Sequence, residues 1–276
     1  MKISLITACY NSEATIRTAI DSVLSQKGVD VEYIIVDGGS KDGTVDIIKE
    51  YADKTLNSQL LTPNFTFRWL SESDRGMYDA INKGIKMATG DVVGILNADD
   101  VLASDDTLAH IVSAFNTDSC ALTPDPSRVD AVYADIRFVK EGETVAALRE
   151  AKTVRYCSAK RWRPWMFRFA AMVPHPSFYV RRECFEKLGG YSLDYRICAD
   201  FELELRYLYL AKLKTAYLPE CVVVMRMGGM STAGWRSNIV INREDLRALR
   251  AHGIWSCLPL IYLKYLFKIW GFVFRR

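Results

Sequence analysis

Four short apolar runs set the framework of the first hundred residues: Lys2–Ala8, Val31–Val36, Phe67–Leu70 and Asp91–Leu96. Each is too short for a core helix and reads as a buried strand. Between them the apolar residues switch to helical spacing. Ile16, Ala19, Ile20, Val23 and Leu24 recur on one helical face behind the capping candidates Asn11-Ser12. Thr44–Tyr51 turns Val45, Ile48 and Tyr51 inward, and the helical stretch Met77–Ala88 stops at Thr89-Gly90. Strands that are apolar throughout and alternate with helices form a parallel sheet covered on both faces. The expected fold class is therefore α/β, a mostly parallel central sheet flanked by helices. In such sheets ligands bind at the carboxyl ends of the strands. Those ends carry Tyr10-Asn11, Asp37-Gly38-Gly39, Glu72–Gly76 and Asp99-Asp100.

The last of these clusters is the most demanding chemically. Neighbouring side chains diverge along a strand, yet two carboxylates this close disfavour each other's charge unless a cation lies between them. A hard divalent cation takes oxygen ligands and shares them with substrate phosphates. The other reading of the pair is a solvated turn, or a cap for the helix near Ser104-Asp105-Asp106.

A chain of 276 residues suits one large α/β domain or two small ones. Its net charge of +3 conceals an asymmetry. Residues 1–149 carry 14 basic and 23 acidic side chains, whereas residues 150–276 carry 22 and 10. The second half thus favours anionic partners. Seven scattered cysteines with no C-x-x-C spacing argue against a disulfide framework or zinc cluster and for a reducing compartment. The apolar start of the chain is too short for the core of a signal peptide and reads as the first strand. After residue 101 the rhythm changes. A helix Asp105–Phe115 and a loop 117–128 lead to antiparallel strands Asp130–Phe138 and Thr144–Leu148, joined through Glu141-Gly142. A short strand Ser177–Val180 follows Pro174-His175-Pro176. Helices Glu183–Leu188 and Asp200–Lys212 precede two more short strands, Thr215–Leu218 and Val222–Arg226.

Four segments carry a resemblance to a known family. Thr7-Ala8-Cys9-Tyr10-Asn11, Val36-Asp37-Gly38-Gly39-Ser40-Lys41-Asp42-Gly43-Thr44, the stretch Ser71–Gly84 and Asn97-Ala98-Asp99-Asp100 succeed one another with the spacing of family 2 glycosyltransferases. The chain resembles that family over about residues 2–230. The resemblance implies a GT-A nucleotide-sugar-binding fold, inverting transfer and a divalent metal, Mn2+ or Mg2+. It implies one domain over residues 1–253, with a nucleotide-binding half (1–101) and an acceptor half (102–253). It implies donor contacts at Thr7, Tyr10, Asp37, Asp74, Arg75, Lys83 and Asp99. In the family the residue matching Asp37 accepts from a nucleobase N–H, and Thr7 and Tyr10 would flank the base. Asp74 and Arg75 precede a helix N-terminus, a suitable place for phosphate or ribose. Asp100 is expected to ligate the metal directly, with Asp99 on the ribose or on metal-bound water. Plainer readings stand beside these: a turn residue at Asp37, packing at Thr7, a solvated side chain at Lys83.

Inverting transfer needs a base, which in this family is commonly the Asp of a Glu-Asp pair. The match is Cys198-Ala199-Asp200-Phe201-Glu202, so Asp200 is the expected base, and Ala199 departs from the pattern. Asp194, Glu202 and Glu204 are its competitors, and an N-cap is the plain alternative. His175, held between two prolines, is a candidate for contact with acceptor, phosphate or metal, or a structural residue. Arg226-Met227-Gly228-Gly229-Met230-Ser231 resembles the family's flexible Gly-Gly-x-Ser loop. Nothing resembles the Gln-x-x-Arg-Trp motif of processive synthases, Gly234-Trp235-Arg236 being only a fragment, so transfer of a single sugar is expected. The family's habit favours a UDP-sugar, with GDP as the second choice, and a glycan or polyprenyl-linked acceptor. Nucleic acid is not an expected partner. Two other classes compete. A sugar nucleotidyltransferase shares the architecture, but Ala8-Cys9-Tyr10-Asn11-Ser12 lacks a glycine- and basic-rich loop for a triphosphate. A catalytically inactive sugar-nucleotide-binding protein is favoured only by Ala199.

The tail 254–276 is aromatic and basic. As a helix its apolar part, Ile254–Phe274, has the length to span a bilayer at about 1.5 Å per residue. Lys264 and Lys268 oppose that. Each costs about 2.5–3.5 kcal/mol at mid-bilayer, against a gain of about 0.3–0.6 per large apolar residue. The expected form is an amphipathic interfacial helix. Lys264 and Lys268 would lie among anionic headgroups, with Trp255, Tyr262, Tyr265 and Trp270 at the boundary. The location that follows is cytoplasmic, peripheral to the inner membrane face. The alternative is a helix packed on the domain or on a second copy, as in a homodimer.

Overall fold

The structure is a computed structural model that describes residues 1–57, 64–116, 128–140, 142–228 and 235–265. Strands β1 (Lys2–Cys9), β2 (Asp30–Asp37), β3 (Phe65–Ser71) and β4 (Val92–Ile95) pair in parallel in the order β3-β2-β1-β4. Helices α1 (Ile16–Leu24), α2 (Thr44–Asn57) and α3 (Met77–Met87) lie on the crossovers. The strands are apolar on both faces because both are covered. Leu5 and Tyr33 face one layer with Ile20 of α1 and Ile48 of α2, while Ile6, Ile34 and Val36 face the other with Ala80 and Ile81 of α3. Burying a side chain of this size is worth about 1.5–3 kcal/mol, which holds the two layers on the sheet. Helix α3 sits very close to β1, since a Cβ at Gly84 would fall 2.5 Å from Ile6 Cγ2.

The same sheet continues beyond β4 with mixed polarity. It takes in β5 (Val101–Leu102), β6 (Ala131–Val139), β7 (Arg155–Cys157), β8 (Tyr179–Arg181) and β9 (Thr215–Arg226). Their order is β8-β6-β9-β5, with β7 on β6, making nine strands among the described residues. β8 is antiparallel to β4 and β6, β9 runs parallel to β6, and β5 closes antiparallel on β9. Helices α4 (Thr107–Asn116), α5 (Val145–Glu150), α6 (Arg182–Leu188), α7 (Ala199–Glu204), α8 (Trp235–Ala251) and α9 (Leu258–Tyr262) pack around the sheet, with short 3-10 turns at Pro164–Phe169 and His175–Ser177.

Three sequence expectations are corrected here. Thr144–Leu148 is not a strand. Thr144 Oγ1 accepts from the Ala147 N–H at 3.1 Å and starts α5, whose Ala146, Ala147 and Leu148 are strong helix formers. The antiparallel partner of β6 on that side is instead Arg155–Cys157. The two short strands expected between Thr215 and Arg226 are one strand, because a bulge opposite Ala134 and Asp135 absorbs the interruption at Pro219-Glu220. The helix expected over Asp200–Lys212 begins as α7 and widens into a π-type segment Leu205–Leu210. Residues 117–127, Glu141 and residues 229–234 lie outside the described residues, and with them most of the predicted loop and the Gly-Gly-x-Ser segment.

The tail departs furthest from expectation. Lys264 does not reach for headgroups. Its ammonium donates to Asp245 Oδ2 of α8 at 2.6 Å, and both side chains are almost wholly buried. Ile261 is fully buried, and the Tyr265 hydroxyl donates to Asn242 at 3.3 Å. The first part of the tail is thus folded onto α8, while residues 266–276, with Lys268 and Trp270, lie outside the described residues. Among the described residues no helix is long and apolar enough to cross a membrane. Removing one partner from a buried ion pair leaves an uncompensated charge. Lys264→Met is therefore expected to destabilise the chain by about 3–5 kcal/mol in urea denaturation. Combining it with Asp245→Leu is expected to recover most of that loss; a single variant as stable as the parent would contradict the pairing.

Candidate functional site

The carboxyl ends of β1, β2, β3 and β4 make one rim, and the structure brings four loops together there. Tyr10 follows β1 directly and is more than half exposed (57%). Asp37 ends β2 wholly buried. Its Oδ2 accepts from the N–H groups of Gly39 and Ser40, both at 3.0 Å, and from Ser71 Oγ at 2.7 Å. Its Oδ1 accepts from Ser40 Oγ in a short bond. The carboxylate therefore builds the turn after β2 and ties it to the end of β3. To accept from a nucleobase it must exchange one of these hydroxyls. Thr7 does not reach the rim at all. It is fully buried, with its Oγ1 bonded to the Leu96 carbonyl at 2.8 Å and the Tyr33 hydroxyl at 3.0 Å. Packing, not contact with a base, is where the structure places it.

The loop after β3 folds against this turn. Asp74 Oδ1 accepts from the Gly76 N–H at 2.8 Å, and a Cβ on Gly38 would fall 2.5 Å from Asp74 Oδ2, so glycine at position 38 leaves room for the Asp74 carboxylate between the two loops. Arg75 projects into solvent and lies 3.7 Å from Asp79. Lys83 is not free. Its ammonium meets Glu72 at 2.8 Å and the Ser73 carbonyl at 3.1 Å, and the bond to Glu72 raises its pKa. It braces the 72–76 loop from α3.

Beyond β4 the chain turns through Asn97-Ala98-Asp99-Asp100. Asn97 Nδ2 donates to Asp100 Oδ2 at 2.7 Å. Asp100 is fully buried and its Oδ1 has no hydrogen-bond partner. Burial, and then the neighbouring Asp99, pushes its carboxyl well above the usual carboxylate range; burial raises half-buried Asp99 as well. Arg226, at the end of β9, supports this turn from behind. It donates to the Asp99 carbonyl at 2.7 Å, to Thr18 Oγ1 at 3.0 Å and to the Gly142 carbonyl at 3.0 Å. A buried carboxylate oxygen without a donor is a costly thing to leave, and a cation at the pair removes the cost. Among the described residues no third His, Cys, Asp or Glu joins the two to make a metal cluster. The donor set thus fits a hard cation held by one or two carboxylates that completes its shell with substrate oxygens.

Asp200 opens α7. Its Oδ1 accepts from the Phe201 N–H at 2.8 Å and from the Tyr78 hydroxyl of α3 at 3.2 Å. Burial pushes its carboxyl up to about 6, a value suited to a base near neutral pH. The turn before it is held by α8: Glu244 accepts from the N–H groups of Arg196, Ile197 and Cys198 at 3.1, 2.9 and 3.0 Å. Glu202 pairs with Arg206 and His252 at 3.0 and 2.8 Å. Glu204 is fully buried and pushed well above its ordinary value, first by burial and then by Asp200. Asp194 is exposed on a Ser192 turn. Of the four acidic candidates, Asp200 alone is both partly exposed and raised by burial. His175 lies deeper. Its Nε2 is 3.3 Å from the Tyr191 hydroxyl, its Nδ1 is 4.0 Å from Glu204, and burial lowers it to about 4, so it is neutral at neutral pH. Tyr191 in turn stacks on Tyr78 with ring centroids 5.5 Å apart. His175 therefore joins Asp200 through Tyr191 and Tyr78 in one packed aromatic cluster.

Tyr78, Arg226 and Glu244 matter here because they position other groups. Tyr78 and Arg226 lie within segments whose pattern was legible. Glu244 is one acid on an amphipathic helix, and nothing in its spacing marks it.

Comparison with known proteins identifies the family and the fold. A family model described as glycosyl transferase family 2 matches residues 4–189. A PGL/p-HBAD biosynthesis glycosyltransferase of Mycobacterium bovis is 30% identical over 246 residues, covering 89% of this chain and 83% of that protein. Among solved structures, Staphylococcus aureus TarS with UDP-GlcNAc superposes at a TM-score of 0.59 and 18% identity, over 90% of this chain and 66% of that one. Mannosyltransferase PcManGT of Pyrobaculum calidifontis, with GDP-Man and Mn2+, gives 0.63 and 22% over 98% and 72%. At these identities the structures establish likeness of fold, which is of GT-A type.

Proposed function

Because the chain belongs to glycosyltransferase family 2, and is a glycosyltransferase, we propose that it catalyses inverting, metal-dependent transfer of a single sugar from a nucleoside-diphosphate sugar to a glycan or lipid-linked glycan. The observation that carries this reading is the Asp99-Asp100 turn: two carboxylates at the carboxyl rim of the sheet, one with a buried oxygen that lacks any donor. The nucleotide belongs in the cleft between Tyr10, the Asp37 turn and the Asp74-Arg75 loop. Tyr10 supplies an exposed ring for the base, and Asp37 an acceptor once a serine hydroxyl is displaced. Asp74 and Arg75 lie beside the N-terminus of α3, where ribose and phosphate oxygens are favoured. Thr7 and Lys83 act indirectly, as packing and as a brace. Asp100 and Asp99 would hold Mn2+ or Mg2+, which supplies positive charge to the departing nucleoside diphosphate.

Asp200 takes the proton of the acceptor hydroxyl as that oxygen bonds to the anomeric carbon and the bond to the diphosphate breaks. Its Oδ1 is held by Tyr78 and the Phe201 N–H, so Oδ2 receives the proton. Attack on the face opposite the leaving group inverts the centre. The ligands of TarS and PcManGT support UDP- or GDP-sugars as donors and Mn2+ as the metal. The acceptor and the site of action, a lipid-linked glycan at the cytoplasmic membrane face, rest on the basic acceptor half.

Donor hydrolysis and transfer, followed by release of nucleoside diphosphate with Mn2+ and with EDTA, test the reading. Metal-dependent release is the expected result. Formation of pyrophosphate from sugar phosphate and nucleoside triphosphate, or silence with UDP-, GDP- and dTDP-sugars alike, would overturn it.

A further inference from the structure

Helix α8 presents a basic stripe. Arg243, Arg247 and Arg250 recur at helical spacing and are all exposed. The two carboxylates of the same helix both turn inward, Glu244 to the 196–198 turn and Asp245 to Lys264. The stripe therefore carries its charge unneutralised by its own element. Arg243, Arg247 and Arg250 line a shallow groove of about 540 Å³ whose far wall is Leu258 of α9.

The adjoining surface is aromatic. Trp255 is 72% exposed and Tyr262 47%, an unusual state for side chains of this size. The Ser256 hydroxyl donates to the Arg168 carbonyl at 2.7 Å, which seats this segment against the turn Pro164–Phe169 and its exposed Trp165. Exposed tryptophan and tyrosine rimmed by arginine is the composition of a protein surface that lies in a membrane interface, with rings at headgroup level and cations on anionic lipid. The face also adjoins the proposed base. The Arg247 guanidinium lies 4.4 Å from the Tyr195 ring centroid and donates to the Asp194 carbonyl, while Glu244 on the inner side of the same helix fixes the turn that leads into Asp200.

We propose that the face formed by α8, α9 and the Pro164–Phe169 turn docks on an anionic phospholipid surface, and so holds the acceptor side of the site at the membrane. The proposal deepens the reading of a lipid-linked acceptor and rests on it for its purpose, but its binding test is independent. Lys264, named from the sequence as a headgroup contact, has no part in it.

Co-sedimentation with phosphatidylglycerol vesicles and with pure phosphatidylcholine vesicles tests it. Binding is expected to the anionic vesicles alone and to weaken with salt. Each arginine at such a surface contributes about fivefold in partition, so Arg243→Glu with Arg250→Glu is expected to reduce binding by at least about twentyfold. Trp255→Ser is expected to weaken it separately. Because these side chains are exposed, melting temperature and the thermal response to nucleotide sugar with Mn2+ are expected to stay at parent values. Equal binding to both vesicle types, or full binding by the double variant, would overturn the proposal. So would light scattering that shows a dimer which the same substitutions dissociate, since the face would then belong to a second copy. Loss of the donor response in the parent chain would instead count against the glycosyl-transfer site and leave the vesicle result standing.

Discussion

Asp200→Asn is expected to lower turnover by about 10²–10⁴ while donor affinity stays unchanged. Asparagine keeps the shape of the side chain, and its carbonyl oxygen can still accept from Tyr78 and the Phe201 N–H, so the start of α7 survives. What it loses is the oxygen that takes the acceptor proton. Steady-state transfer together with a thermal-shift titration of donor separates the two effects. Retention of most of the turnover would move the role to Asp194, the exposed candidate.

The same assignment fixes a pH profile. Burial raises Asp200 to about 6, and only the ionised form is a base. Parent turnover is expected to rise with pH through about 6 and then level off. Glu244 adds to the upward push on Asp200 through its negative charge. Glu244→Gln removes that charge and is expected to shift the acid limb to lower pH. A residue that merely filled space would lower activity without moving the limb.

The second large effect is expected at the aspartate pair. Asp100→Asn should abolish the Mn2+-dependent part of donor binding and, in metal-free protein, raise the melting temperature. The stabilisation follows from the environment: Asp100 is fully buried, with one oxygen bonded to Asn97 and the other to nothing, and asparagine, although it leaves a polar atom in the same place, removes the buried charge. An unsatisfied buried polar group costs about 1–3 kcal/mol, more when charged. In a chain of this size each kcal/mol corresponds to about 2–4 °C. Function and stability then oppose each other at one residue, as is common where a site is kept strained for its ligand. Calorimetry of both proteins, with and without Mn2+, reads the effect directly. A variant whose donor response still depends fully on Mn2+ would assign the ligand role to Asp99.

The parallel half of the fold was legible because its signals are local. Apolar runs such as Val31–Val36 can be buried on both faces only in a covered parallel sheet, and the polar clusters that end them fall on one rim by geometry alone. Beyond residue 101 the signals weaken. Thr144 reads equally as a strand residue or an N-cap until Ala147 is seen to donate to it, and the bulge in β9 depends on its register against β6.

The sequence by itself determined the order of strands and helices up to β4, the family, and the acidic residues on which chemistry can be built. Covalent spacing is enough for that, because motif and strand end are neighbours along the chain. Only the tertiary structure decided how each polar group is occupied. Thr7 turned out to be packing and Lys83 a brace for Glu72. Lys264, 19 residues from Asp245, became a buried ion pair in place of a headgroup contact. Glu244 holds the turn into Asp200 from a helix about 45 residues downstream. These assignments depend on desolvation and on partners distant in sequence. Burial sets both the charge a group can carry and the bonds left to it.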